Sequence, residues 1–285
     1  MNEEQIEAYK KEIKINPDDA DAHYNLGGIY SALGMNNEAI EAYKQAIRIS
    51  PDHASAHCDL GFIYIYLDMN EKAIESFKQA IRIDPDDAEA HYNLGISYLK
   101  SGKCQEAIES CKQAIRIDPD LAGAHFILGT AYSYLDKHKE AIESFKQAIK
   151  IDSDFRDAHY NLGISYFKSG KHQDAIDSYK QALRIDPDCR DAHCNLGIAY
   201  VQSGKYEEAI ESYKQALRIN PDDAIAHYDI ACSYSLLGNV SKALEYLGSA
   251  INLGFDNIKH MEDDSSLNEL RDEAGYKKLI NKLKR

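Results

Sequence analysis

Residues 20–53 read ADAHYNLGGIYSALGMNNEAIEAYKQAIRISPDH, and the pattern of this stretch returns along most of the 285-residue chain. The pair Leu26-Gly27 recurs every 34 residues. Its later copies are Leu60-Gly61, Leu94-Gly95, Leu128-Gly129, Leu162-Gly163, Leu196-Gly197 and, in altered form, Ile230-Ala231. A fixed period of this length predicts an array of stacked structural repeats and not a single globular core.

Each repeat predicts two helices joined by a tight turn. Apolar residues follow helical spacing twice, and Gly34 or its equivalent, which is Asp68 in repeat two and Asp136 in repeat four, marks the break. Glycine there is typical of a left-handed residue that closes a helix. The second helix stops before Pro51 because proline cannot continue a helix. With Ala20 at position 1, the seven repeats are 20–53, 54–87, 88–121, 122–155, 156–189, 190–223 and 224–257.

These residues resemble the tetratricopeptide repeat from residue 20 to about residue 250. The resemblance implies an all-α fold, a right-handed superhelical solenoid of antiparallel helix pairs. Histidine departs from the family's aromatic at position 4 in all seven repeats, and Cys111 and Leu247 replace the aromatic at position 24. Repeat one supplies the matching residues Leu26, Gly27, Tyr30, Ala39, Tyr43, Ala46 and Pro51.

The two ends of the chain predict capping segments. Residues 1–19 carry Tyr9 and Pro17 at positions 24 and 32 of a preceding repeat, which predicts an N-terminal capping helix or half repeat. Residues 258–285 leave the pattern but keep helical spacing of apolar residues. We expect a helical C-terminal cap there, because the terminal units of a repeat array must cover an apolar face.

The family's superhelix implies a concave surface lined by the first helices. Position 6 on that surface is asparagine in four repeats, and an amide supplies both a donor and an acceptor to an extended peptide. The row is similar to the asparagine ladder in the repeat domain of O-linked N-acetylglucosamine transferases. In the alternative interpretation the amides only cap helices or solvate a surface. The candidates at position 6 are Asn25, Asp59, Asn93, Asn161, Asn195 and Asp229.

Position 5, beside this row, carries an aromatic residue in five repeats. Aromatic side chains give an interface large apolar anchors, so the same surface predicts a groove for a peptide or a partner protein. The candidates at position 5 are Tyr24, Tyr92, Phe126, Tyr160 and Tyr228.

Seven histidines at position 4 raise the question of a metal site. Copies one repeat apart follow the spacing of packed helices, about 8–10 Å, whereas zinc ligands converge to about 2.1 Å from one ion. We therefore interpret the imidazoles as fillers of the usual aromatic slot and expect no metal and no cofactor. The six cysteines form no C-x-x-C pair, which is typical of free thiols in a reducing compartment.

Charge and motifs exclude several classes of function. A formal net charge of -14 at pH 7 disfavours nucleic acid as a partner. No phosphate-binding loop, H-E-x-x-H or nucleophile elbow occurs, so we expect neither an enzyme nor a small-molecule substrate. A leader and a membrane-spanning stretch are not indicated, which makes membrane binding unlikely and predicts a cytoplasmic protein.

Two functions remain from the sequence. The first is a non-catalytic scaffold that binds an extended peptide or a partner protein in the concave groove. The alternative is a self-assembling structural protein that oligomerises through its ends or its convex face.

Overall fold

The computed structural model describes residues 2–284, and these residues are helical with no strand. Helix α1 (Asn2–Ile15) precedes seven helix pairs. The pairs are α2 (Ala20–Ala32) and α3 (Asn36–Ile49), α4 (Ala54–Tyr66) and α5 (Asn70–Ile83), α6 (Ala88–Lys100) and α7 (Cys104–Ile117), α8 (Ala122–Tyr134) and α9 (His138–Ile151), α10 (Arg156–Lys168) and α11 (His172–Ile185), α12 (Arg190–Gln202) and α13 (Tyr206–Ile219), and α14 (Ala224–Leu236) and α15 (Val240–Asn252).

The helices form two compact units, Met1–Ile151 and Asp152–Arg285. In the N-terminal unit, α1 packs on α2, and four helix pairs follow it. The C-terminal unit contains three pairs, then α16 (Ile258–Asp263), a 3-10 helix (Ser265–Leu270) and α17 (Ala274–Leu283). Within both units, each first helix packs on its own second helix, and that second helix packs on the next first helix. This is the predicted arrangement of stacked helix pairs.

The turn inside each pair closes as the sequence predicts. Gly34 has a φ of +71°, and Asp68 takes the same left-handed region with a φ of +56°. This conformation lets the next amide, that of Met35, donate to the carbonyl of Tyr30 at 2.9 Å. The bond satisfies a carbonyl that the helix end would otherwise leave without a partner.

The core of each repeat depends on contact between a glycine and an aromatic ring. A Cβ atom added at Gly27 would lie 2.8 Å from the ring of Tyr43, so only glycine fits there. Ala39 and Ala46 are fully buried on the facing helix. In repeat seven Ala231 replaces the glycine, and Leu247 replaces the aromatic ring. The small residues of the pattern therefore let the two helices of a repeat approach closely.

The position-4 histidines join each repeat to the turn before it. The imidazole Nε2 of each lies 2.9–3.2 Å from the backbone carbonyl oxygen six residues earlier. A carbonyl only accepts, so Nε2 carries the hydrogen and donates it. The Nε2 atom of the position-4 histidine is therefore engaged in a hydrogen bond in each of the seven repeats. The pairs are His23–Pro17, His57–Pro51, His91–Pro85, His125–Pro119, His159–Ser153, His193–Pro187 and His227–Pro221.

Candidate interaction surface

First helices of neighbouring repeats lie side by side within each unit. In the N-terminal unit α2 contacts α4, α4 contacts α6 and α6 contacts α8, and in the C-terminal unit α10 contacts α12. Positions 5 and 6 lie near these lines of contact, where side chains of one repeat reach those of the next. Their geometry therefore depends on both repeats.

Tyrosine at position 5 hydrogen-bonds to position 6 of the following repeat. The Nδ2 group of Asn195 donates to the hydroxyl oxygen of Tyr160 at 2.8 Å. Between repeats one and two the direction is reversed, and the hydroxyl of Tyr24 donates to the carboxylate of Asp59. Burial, followed by this carboxylate, raises the pKa of Tyr24 to about 12. Part of the predicted peptide-binding set is thus engaged in joining repeats.

The four asparagines at position 6 have different surroundings. Asn25 is exposed, whereas Asn93 is only 3% exposed and donates from Nδ2 to the carbonyl oxygen of Glu89 at 2.8 Å. Asn161 is half-buried and bonds the carbonyl oxygen of Asp157 in the same way, also at 2.8 Å. The row is therefore open to solvent at some repeats and closed at others.

The two aspartates at position 6 lie in low-dielectric surroundings. Asp59 accepts a hydrogen bond from the hydroxyl of Tyr43 at 3.4 Å, and burial raises its pKa. Burial raises the pKa of Asp229 further, to about 7, with smaller contributions from the neighbouring carboxylates of Asp223 and Asp264. Asp229 is accordingly half-protonated near neutral pH.

Tyr228 lies beneath the C-terminal segment. It is 3% exposed, its ring stacks on Phe255 with 4.3 Å between ring centroids, and its hydroxyl donates to Asp264 at 2.6 Å. The segment that follows repeat seven therefore covers this candidate.

The other position-5 aromatics are half-buried and pack on neighbouring helices. The hydroxyl of Tyr92 lies over Gly123 of the next repeat, where a Cβ atom would come within 2.8 Å of it. The ring of Phe126 lies 5.7 Å from that of Phe145 of its own repeat. These contacts fix the rings and leave only part of each accessible.

Two tyrosines that the sequence did not single out are the most exposed aromatics of the first helices. Tyr66 is 79% exposed and Tyr134 is 71% exposed, at position 13 of repeats two and four. Phe62, one helical turn before Tyr66, is 39% exposed. The sequence does carry a signal for their exposure. Tyrosine at position 13 alternates with a charged residue, because repeats three and five carry Lys100 and Lys168 there.

The thiol of Cys194, at position 5 of repeat six, does not suit nucleophilic chemistry. Burial, followed by nearby Asp223, raises the pKa of Cys194 to about 11, which keeps the thiol protonated at neutral pH.

Within residues 2–284, no group of three or more His, Cys, Asp or Glu side chains could hold a metal ion. No helix in this described range is long and apolar enough to cross a membrane.

Family models match the chain along most of its length. A model described as TPR repeat matches residues 2–34, 27–65, 63–102, 129–170, 164–204 and 197–238. A second, described as Tetratricopeptide repeat, matches residues 88–121. No curated protein matches the chain.

Solved structures similar to this chain have the same kind of fold. MamA is 31% identical with a TM-score of 0.55, and the match covers 58% of this chain and 97% of MamA. YrrB, described as a TPR protein with an unusual peptide-binding site, is 24% identical with a TM-score of 0.58, covering 66% and 96%. PilW, a type IV pilus biogenesis factor, is 22% identical with a TM-score of 0.63, covering 71% and 94%. The last two show the fold alone.

Proposed function

The chain belongs to the tetratricopeptide repeat family, and on that premise we propose that it is a non-catalytic scaffold that binds an extended peptide or a partner protein on its first helices. The exposure of Tyr66 and Tyr134 carries this proposal. Aromatic residues dominate the energetics of protein interfaces, so these exposed tyrosines are suited to anchor a partner. YrrB, which shares the fold, is described as a TPR protein with an unusual peptide-binding site.

The position-6 amides supply polar contacts to the bound chain. Asn25 is exposed, and Asn161 and Asn195 keep an amide oxygen and a second N–H beyond the bonds described above. Three net hydrogen bonds at about 1 kcal/mol each give a dissociation constant on the order of 10 mM. Such contacts align a peptide, and the aromatic anchors must provide most of the affinity.

Self-assembly through the N-terminal end is opposed by the surface of α1. Gln5 and Glu12, both exposed, occupy the repeat positions at which α3 carries the buried alanines Ala39 and Ala46. Packing another helix on that face would bury a carboxylate and an amide without a partner, which is costly. The scaffold function is therefore favoured over end-to-end stacking at this end.

The test is affinity capture from the native cell extract followed by mass spectrometry. The baits are the wild type, Y66A/Y134A, N25A/N161A/N195A and the matched control K112A/K150A, which changes second-helix residues. Circular dichroism checks that all four baits keep the same helicity. Partners lost from Y66A/Y134A and N25A/N161A/N195A and retained by the control support the proposal. Retention of every partner by all variants contradicts it.

A further inference from the structure

A cleft lies between α15 and α17, away from the first-helix surface. Leu244 of α15 and Leu279 of α17 form its apolar floor together with Gly275. Lys277, Lys278 and Lys282 also line it, as does Glu245 of α15. The cleft thus combines apolar side chains with three lysines and one glutamate.

The cleft arises because repeat seven departs from the other repeats. Six second helices bury an isoleucine at position 21, as Ile40 and Ile210 show, whereas Leu244 at this position is half-buried. Position 25 is lysine in six repeats and Gly248 here. Helix α17 comes so close to α15 that a Cβ atom at Gly275 would lie 2.6 Å from a Leu244 methyl carbon. It covers part of α15 and leaves the rest as an open cleft.

The charge of this end is opposite to that of the chain as a whole. Residues 277–284 contain four lysines and no acidic residue, although the formal net charge of the protein is -14. Lys282 bonds Asn252 at 3.1 Å and Lys284 bonds Glu262 at 2.9 Å, so these two hold α17 in place. Lys277 donates to the carbonyl oxygen of Asp272 at 3.0 Å and lies 3.7 Å from its carboxylate. Within the described residues Lys278 makes no hydrogen bond or ion pair, and its charge is available to a partner.

We propose that this cleft binds an acidic amphipathic helix of a partner protein. The apolar side chains of that helix pack on Leu244 and Leu279. Its carboxylates pair with Lys278 and compete with Asp272 for Lys277. A channel between two helices accepts the ridge of a third, and spaced apolar residues on one face provide the anchors. This surface is separate from the first-helix surface and provides a second attachment point.

Fluorescence anisotropy with two synthetic helical peptides tests the proposal. Both probes carry leucine at helical spacing, one with glutamate and the other with lysine at the flanking positions. The glutamate probe binds the full-length protein, and K277E/K278E weakens that binding about tenfold, because two attractive charges become repulsive. The matched double charge reversal K112E/K150E, on second helices of other repeats, leaves it unchanged. Methyl NMR signals of Leu244 and Leu279 shift on binding.

Several results would overturn this assignment. Equal binding of both probes, or equal loss in K112E/K150E, indicates nonspecific adhesion. Binding to phosphatidylserine vesicles that K277E/K278E abolishes, without binding of the glutamate probe, identifies a lipid surface instead. Dimerisation that K277E/K278E disrupts identifies a second copy of the chain as the occupant. If the assignment is right, Y66A/Y134A leaves binding of the glutamate probe intact. That result separates this cleft from the proposed first-helix function.

Discussion

At the scale of single residues, Asp229 links protonation to stability. Four other repeats carry asparagine at its position, and its own carboxyl lies near Asp223, which pairs with Arg190, and near Asp264. The folded-state pKa of about 7 lies above the ordinary value of 3.8. The protonated Asp229 carboxyl therefore stabilises the folded state. This contribution is fully present below about pH 4 and is lost as the pH rises through 7.

We therefore expect D229N to stabilise the protein more at pH 8 than at pH 5. The gain at pH 8 is roughly 2–4 kcal/mol, because asparagine replaces a buried charge with a neutral group of the same shape. Urea unfolding at both pH values measures it. The control D52N removes a charge at an exposed site that makes no ion pair within the described residues, and leaves the pH dependence unchanged. An equal effect of D229N at both pH values would refute the burial argument.

The glycine at position 8 gives a second prediction at this scale. G163A places a Cβ atom 2.6 Å from the ring of Tyr179, and we expect a loss of roughly 1–3 kcal/mol in the free energy of unfolding. G28A, in α2, meets nothing closer than 3.8 Å, and we expect a gain of up to about 1 kcal/mol from helix propensity.

A double variant tests the cause of that loss. G163A/Y179L copies the natural pair Ala231 and Leu247 of repeat seven, and we expect it to recover part of the lost stability. Chemical denaturation of the wild type, both single variants and the double variant provides the comparison. If Y179L deepens the loss, the close approach of the ring is not the cause.

At the scale of the helix pair, the left-handed turn residue tolerates only some side chains. Gly102 has a φ of +73°, and a Cβ atom there would meet no other atom within 4 Å, so the cost of substitution is conformational. We expect G102A to destabilise by roughly 1 kcal/mol and G102D by less, because aspartate tolerates this region, as Asp68 and Asp136 show. Thermal unfolding of both variants checks which of them loses more stability. Equal losses would contradict it.

The helix pairs show which features a sequence can predict and which it cannot. The positive φ at Gly34 follows from local chemistry, since glycine before a second apolar run closes a helix. The burial of Asn93 and Tyr228 does not follow, because it depends on neighbours. Tyr228 is covered by residues beyond the repeats, and position 6 looks equivalent in sequence although its surroundings differ. The exposure of Tyr66 has only an indirect signal, the lysine at the same position of repeats three and five, because a periodic pattern shows spacing and not accessibility.

At the scale of the whole molecule, contacts between successive helices dominate each unit. In repeat proteins the free energy of unfolding is close to a sum of one contribution from each repeat and one from each interface between neighbouring repeats. We therefore expect a fragment of residues 1–151 to fold alone, with helical circular dichroism and a cooperative urea transition. A fragment cut within a helix pair, residues 1–134, is the control and unfolds at lower urea, because α8 loses its partner α9. Loss of cooperativity in the longer fragment would contradict this expectation.

The histidine-to-carbonyl bond also bears on how such a chain grows. Every repeat contributes the imidazole at its start, and the turn before it presents the accepting carbonyl, even where Ser153 stands in place of proline. Unequal recombination that inserts or removes a whole 34-residue period therefore recreates the same junction at the new boundary. The gene can lengthen or shorten its product by whole repeats without evolving a new interface each time.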